Sequence, residues 1–277
     1  MKTGTIVRLI VFAVIAVVLL CILLAGIGLG KFLSIPIFTR GSSAPIVEAS
    51  AFRPEDIDAL QIDWVAGNVY LTPADQEEIT VTEDRHGSND PMVIRQNGSE
   101  LIVEFSEKNF IGSLSPKKKD LHIAFPADWH CEKLEIDAVS ARVEVQELTA
   151  GKVTASTVSG NFFLENCTAD EMKLDSVSGN LTLSGAVKEL RLSGVSARAD
   201  VTVSGAPQEI RADSVSGSLN LTLPADSGFS LEKDTLSGSF STDFVTTQSG
   251  GKIISGDGAC AIKFSGLSAD IHIRQAQ

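Results

Sequence analysis

The sequence predicts an all-β chain, a parallel β-solenoid of about 19-residue coils carried behind one transmembrane helix. Three observations lead there. A corner phrase returns at a nearly fixed interval, apolar residues alternate with period two on both sides of it, and a long apolar run lies near the N-terminus.

The phrase is Val139-Ser140-Ala141, then Val158-Ser159-Gly160, Val177-Ser178-Gly179, Val195-Ser196-Ala197, Val215-Ser216-Gly217 and Leu236-Ser237-Gly238. Its serines stand 19, 19, 18, 20 and 21 residues apart, an interval that only a copied structural unit maintains. Six and four residues before each serine sit mostly apolar side chains, such as Leu134 and Ile136 or Leu190 and Leu192. Three and five residues after it come pairs such as Val143 and Val145 or Leu219 and Leu221, so each flank is a strand with one buried face.

Degenerate copies extend the series at both ends, from Leu60 to Leu71 and from Ile262 to Ile273. The interval from Ser237 to Ser268 is 31 residues, too long for one coil, and predicts an extra turn around Ser255 to Gly258. Stacked in chain order at roughly 4.8 Å, the coils run parallel, and right-handed winding is the default for such crossovers. A single coil buries too little apolar surface to offset its ordering entropy, so the array must fold together and its last coil needs a polar cap, here Arg274 to Gln277.

Between Thr72 and Cys131 the phrase is absent, and strand signals at 79–82, 93–95, 101–105 and 121–125, with Asn97-Gly98 as a hairpin turn, predict an antiparallel meander. Lys117, Lys118 and Lys119 are expected to cap a loop there.

Ahead of the repeats, Leu9 to Gly30 contains no charged side chain over 22 residues, enough to cross a hydrocarbon core of about 30 Å. The run is too long for a cleavable signal core, which supports a retained anchor. Residues 31–56 hold Pro36, Gly41, Pro45 and Pro54 without a sustained period and read as a tether. The expected organisation is therefore a cytoplasmic tail at 1–8, an anchor at 9–30, the tether at 31–56, an N-terminal β portion at 57–131 and solenoid repeats at 132–277, with the C-terminal part outside the cell membrane.

Residues 1–46 carry four cations and no carboxylate, and the remaining 19 basic and 35 acidic residues give the rest of the chain a charge of about −16. Such a polyanion is not expected to bind nucleic acid or bare anionic lipid.

No catalytic constellation stands out. A serine nucleophile needs a base and an oxyanion hole, and needs them once, whereas these serines recur in every coil and suit a hydrogen-bonded corner ladder. Three residues before them runs Asp137, Ser156, Asp175, Ser193, Asp213 and Asp234; stacking in chain order would place Asp213 and Asp234 one coil apart and raises calcium as a ligand, set against ordinary Asx turns. His86, His122, His130 and His272 share no zinc spacing with Cys131, Cys167 and Cys260, and the cysteines read as buried thiols. Gly256-Asp257-Gly258 lacks the lysine of a phosphate loop, and Asn166, Asn180 and Asn220 head glycosylation-like triplets that fall within the repeat. Outward Arg142, Glu144, Arg198 and Asp200 form two separate pairs without convergence. No catalytic, cofactor or metal residue is assigned, and the chain is expected not to be an enzyme.

The ordered series resembles a known group. Ile62-Asp63-Trp64-Val65-Ala66-Gly67-Asn68-Val69, Leu121-His122-Ile123-Ala124-Phe125-Pro126 and the serial Val-Ser-Gly-Asn phrases are similar to the bacterial putative-adhesin family of repeat-strand domains, over roughly 57–277. The resemblance implies a solenoid-like, membrane-anchored envelope protein with no site residues to carry over. Partners in keeping with it are the chain's own bilayer and a cell-wall polymer, an envelope protein or another copy. Two other readings stand beside it: an accessory to an envelope-stress signalling system, and a solenoid polysaccharide-active enzyme.

Overall fold

The computed structural model describes residues 50–106 and 117–276. The expected tail, anchor and all but the last seven residues of the tether lie outside them. No helix among the described residues is long and apolar enough to cross a membrane; their one helical turn is a 3-10 turn at Pro54–Asp56.

The rest is strand. The first coil is β2 (Ala59–Trp64) and β3 (Gly67–Ala74), preceded by the short β1 (Ala51–Phe52). Then come β4 (Ile79–Asp84), β5 (Val93–Asn97), β6 (Glu100–Glu104) and β7 (Lys119–Pro126). The regular middle is β8 (His130–Ala138), β9 (Arg142–Gln146), β10 (Thr149–Thr157), the long winding β11 (Asn161–Val203) and β12 (Glu209–Leu223). Last are β13 (Phe229–Ser237), β14 (Phe240–Thr242), β15 (Thr246–Ser249), β16 (Lys252–Ser255) and β17 (Cys260–Gln275).

In the middle, parallel pairing runs at the predicted interval: His130 lies beside Thr149, which lies beside Thr168, and Arg142 lies beside Asn161. The registers align one inward column, Leu101, Leu60, Leu134, Val153 and Met172, continued by Leu190, Ile210, Ile262 and Leu231, each at most 2% exposed. Aliphatic side chains at alternate positions thus form one continuous dry core, as the period-two flanks require.

The serine corners hold the layers in step. Ser140 donates from both its backbone N–H (2.9 Å) and its hydroxyl (3.0 Å) to the Val65 carbonyl of the next layer, and Ser159 does the same to Val139, at 2.8 and 3.3 Å. Glycine follows where layers approach most closely: a Cβ on Gly160 would stand 2.1 Å from the Ala141 carbonyl oxygen.

The ends depart from the expected order. β6 and β7 are not members of an antiparallel meander but a further parallel layer, β6 beside β2 and β7 beside β3, so the first coil in sequence is second in space. The antiparallel strands are confined to a cover: β5 on β6, β4 on β7 and β1 on β4. The β5–β6 turn is shifted by one residue from the expected Asn97-Gly98. Asn97 still pairs with Glu100, and Gly98, at φ +60°, opens the two-residue turn.

The other end is threaded in the same way. β17 lies between β12 and β13, with β14 also beside β17, and the β15–β16 hairpin pairs antiparallel onto β13. That hairpin and the turn after it occupy the long 31-residue interval. Arg274 to Ala276 therefore close an inner layer rather than capping the outermost one; Ala276 N–H donates to the Leu223 carbonyl at 2.8 Å. The outermost layer is β13–β14, where Lys233 takes the register position that Phe264 fills in β17.

Candidate interaction surface

With the core closed, chemistry is left to the outward side chains, and the registers sort these into columns. On the face formed by β8, β10, the 168–176 and 187–194 stretches of β11, and β12, three columns lie seven, five and three residues before each corner serine. The first reads Lys133, Lys152, Glu171, then Glu189, Glu209. The second reads Glu135, Thr154, Lys173, then Arg191, Arg211, and the third Asp137, Ser156, Asp175, then Ser193, Asp213.

Ion pairs tie these columns together within and between layers: Lys133 to Glu135 (2.5 Å), Lys152 to Glu171 (2.9 Å), Lys173 to Asp175 (2.9 Å), Arg191 to Glu189 (3.4 Å) and Arg211 to Glu209 (2.9 Å). The Lys152 ammonium holds the Glu171 carboxyl below its ordinary range, and Arg211, aided by Lys263, does the same to Glu209. Each pair is solvated and contributes little alone.

The aspartate column corrects one expectation. Ser265 of β17 stands between Asp213 and Asp234, so these two carboxylates are two layers apart. Carboxylate and hydroxyl alternate from Asp137 onward, and Ser156 and Ser265 donate to Asp137 and Asp213. The alternation separates the carboxylates without a cation between them. It fails only toward the N-terminal end, where Glu104, Asp63 and Asp137 are direct neighbours. Burial pushes the Asp63 carboxyl up to about 6 against a 3.0 Å hydrogen bond from Gln61, and Asp137, Glu104 and Glu135 add to the rise. Burial likewise raises Asp137, partly offset by Ser156.

The second face, on β3, β7, β9 and the strands stacked on them, carries side chains that reach along the stack. Asn68 donates its N–H and side-chain amide to Asp120 at 2.9 and 2.8 Å, and the Asn180 N–H donates to the Asn161 side chain at 2.9 Å. Tyr70 stacks on His122 with centroids 4.9 Å apart, and the Arg142 guanidinium lies 4.0 Å over the Phe163 ring. Arg142 also pairs with Glu144, and Arg198 with Asp200 at 3.1 Å, so the two outward pairs named from the sequence are each closed within one strand.

The remaining candidates disperse. Cys131, Cys167 and Cys260 are free and buried, and burial pushes their thiols up to about 12, 11 and 12. His86 bonds Asp120 at 2.8 Å, and its ring is held protonated to higher pH by that carboxylate. His272 bonds the Ser241 hydroxyl, and His130 is exposed. Among the described residues no three His, Cys, Asp or Glu gather as a metal site. Gly256 to Gly258 form the turn between β16 and β17, and Asn166 sits at a corner with φ +54°. A cavity of about 30 Å³ beside Ala197, Ala199 and Ala212 falls far below the several hundred Å³ of a typical ligand pocket.

Sequence reading missed Lys119. It is fully buried, pairs with Glu83 at 3.2 Å, donates to the Asp90 and Ser106 carbonyls and lies 4.6 Å from the Phe105 ring centroid. Only Lys117 of the triplet serves as a simple loop contact, donating to the Gly87 carbonyl at 3.0 Å. The surface lattice was also missed, although the change of sign from Lys133 and Lys152 to Glu171 and Glu189 could have been seen by aligning the coils.

The family profile described as Toastrack DUF4097 matches residues 57–204, more than half of the chain. The chain belongs to the Toastrack DUF4097 family. In this Toastrack chain the matched residues run from the first coil through β11, and β1 and the layers from β12 onward lie beyond them. No curated protein matches it. Solved structures similar to it include a putative cell adhesion protein from Clostridium sporogenes, 13% identical, covering 84% of this chain and 97% of that one at a TM-score of 0.42. Others are a putative adhesin from Bacteroides fragilis (12%, 82% and 95%, 0.46) and a putative lipid binding protein from Parabacteroides distasonis (14%, 84% and 96%, 0.41).

Proposed function

We propose that this Toastrack chain is a non-enzymatic surface or scaffold module of the cell envelope, tethered to the cytoplasmic membrane by residues 9–30 with its solenoid outside. The observation that carries this reading is the periodicity of the outward charges. Cations and carboxylates recur layer by layer and pair with their neighbours, instead of converging on one locus as catalysis requires. Regular columns on a continuous stack suit an extended partner, since successive layers present charged and polar groups in register at a spacing of about 4.8 Å.

The test is a turnover assay of the full-length chain in detergent against envelope glycans, together with capture of wall polymer and envelope proteins. Capture without turnover is the expected result. Glycan cleavage abolished by one point substitution would overturn the reading.

A further inference from the structure

The charged face of β8, β10 and the two β11 stretches has a symmetry that its ion pairs do not need. The four central layers carry Lys133, Glu135 and Asp137; Lys152, Thr154 and Ser156; Glu171, Lys173 and Asp175; and Glu189, Arg191 and Ser193. Four cations face five carboxylates, close to balance in a domain with a large acidic excess. A two-fold axis lying in this face, along the strands and between β10 and the 168–176 stretch, reverses the layer order while keeping each column over itself.

Under that operation Lys133 meets the second copy's Glu189, Lys152 its Glu171, and Glu135 its Arg191. Asp137 meets Ser193, Ser156 meets Asp175, and Thr154 meets Lys173. Every one of the twelve positions faces an opposite charge or a hydrogen-bonding group, and no like charges meet within these four layers. One layer further out Asp63 faces Asp213, which limits the favourable contact to the four. The alternative axis, along the solenoid, sets Lys173 on Lys173, Arg191 on Arg191 and Glu171 on Asp175, which is repulsive.

We propose that this face is a homotypic interface, on which a second copy of the chain docks antiparallel about that axis. The inference rests on the surface-module reading and names one partner for it. Side chains here reach solvent beyond their own ion pairs: those of Lys152, Glu189 and Arg191 are 46%, 45% and 44% exposed. The footprint, four layers by about five residues, is on the order of 300 Å² per copy, less than half that of a standard stable interface, so the contact is weak and acts through many tethered copies. Ser50, on the membrane-tether side of the solenoid, lies beside β4 in the N-terminal cover. Antiparallel docking therefore places the two copies' tethers at opposite ends of the pair, as for copies reaching from facing surfaces.

The test is sedimentation of the full-length chain in detergent up to submillimolar concentration. Wild type is expected to self-associate and to lose association as salt is raised. Lys133→Glu and Glu189→Lys each place like charges together twice in the pair, and each alone is expected to weaken association about tenfold or more. Mixing the two variants restores opposite charges at both places and is expected to restore association, as is the double variant in one chain. An unchanged thermal transition shows that the variants fold. A monomeric wild type, reversal variants that still associate, or no rescue on mixing would overturn the inference; envelope capture by a chain that stays monomeric would overturn it while leaving the proposed function in place.

Discussion

The regular middle of the solenoid and its two ends are built from the same layer, yet only in the middle does order along the chain equal order in space. From β8 to β12 each coil stacks on the one before it. At either end a later segment and an earlier one exchange places, with β6 and β7 outside the first coil and β17 inside β13 and β14. The repeat therefore specifies what a layer looks like and leaves its neighbour to be chosen by residues outside the repeat. At the N-terminal end these are Lys119, Glu83 and Phe105, joined to the first coil by Trp64, whose indole donates to the Lys119 carbonyl at 3.0 Å. At the C-terminal end the β15–β16 hairpin fills the long interval, and Phe229 meets Phe244 edge to face at 5.4 Å.

The sharpest break in the comparison is Lys119→Ala. Removing a fully buried cation strands the Glu83 carboxylate and two carbonyls, at a cost of about 3–5 kcal/mol, whereas losing an exposed pair such as Lys152 with Glu171 costs about 0–1 kcal/mol. Hydrogen exchange is expected to show β4 to β6 deprotected while β10 and β12 keep their protection; equal loss in both regions would remove the distinction between end and middle.

Leu190→Ala attacks the middle instead. This side chain is fully buried between layers, so about 2–5 kcal/mol should be lost in denaturant unfolding, in one transition because neighbouring layers stabilise each other.

Asp63 separates the regions by pH. Its folded pKa of about 6 lies above the ordinary 3.8, so the folded state holds the proton more tightly. The stabilisation is complete below about pH 4 and is lost as pH rises through 6, a swing of up to about 3 kcal/mol. Asp63→Asn should flatten this dependence and raise stability at pH 7.5; an unchanged pH profile would show that the carboxylate is not desolvated.

The smallest effect belongs to the corners. Ser159→Ala removes one exposed hydroxyl rung and leaves the backbone bond to Val139, so it should cost less than about 1 kcal/mol.

How far the sequence could be read follows the same division. Leu134, Val153 and Met172 announce their column because nothing interrupts the interval between them. Leu101 and Val103 carry the same alternation and fill the same inward columns, but no Val-Ser-Gly phrase joins them to Leu121, so β6 and β7 read as separate hairpin strands. Ser268 carries the phrase and still misleads, since pairing of β17 with β12 rather than with β13 alone is decided by contacts far apart in sequence. The charge lattice was hidden for another reason. The change of sign along each column shows only when the coils are aligned on their corner serines, and hydropathy is blind to it.

The order of layers at the C-terminal end is the claim most directly open to measurement, by disulfide trapping at the corner serines. Ser216 and Ser268 are paired neighbours, about one strand spacing of 4.8 Å apart, within disulfide reach, while Ser216 and Ser237 stand two layers apart, at roughly twice that distance and beyond it. Ser216→Cys with Ser268→Cys should crosslink on mild oxidation, and Ser216→Cys with Ser237→Cys should not. Crosslinking of the second pair and not the first would mean that the coils stack in chain order, contradicting the account.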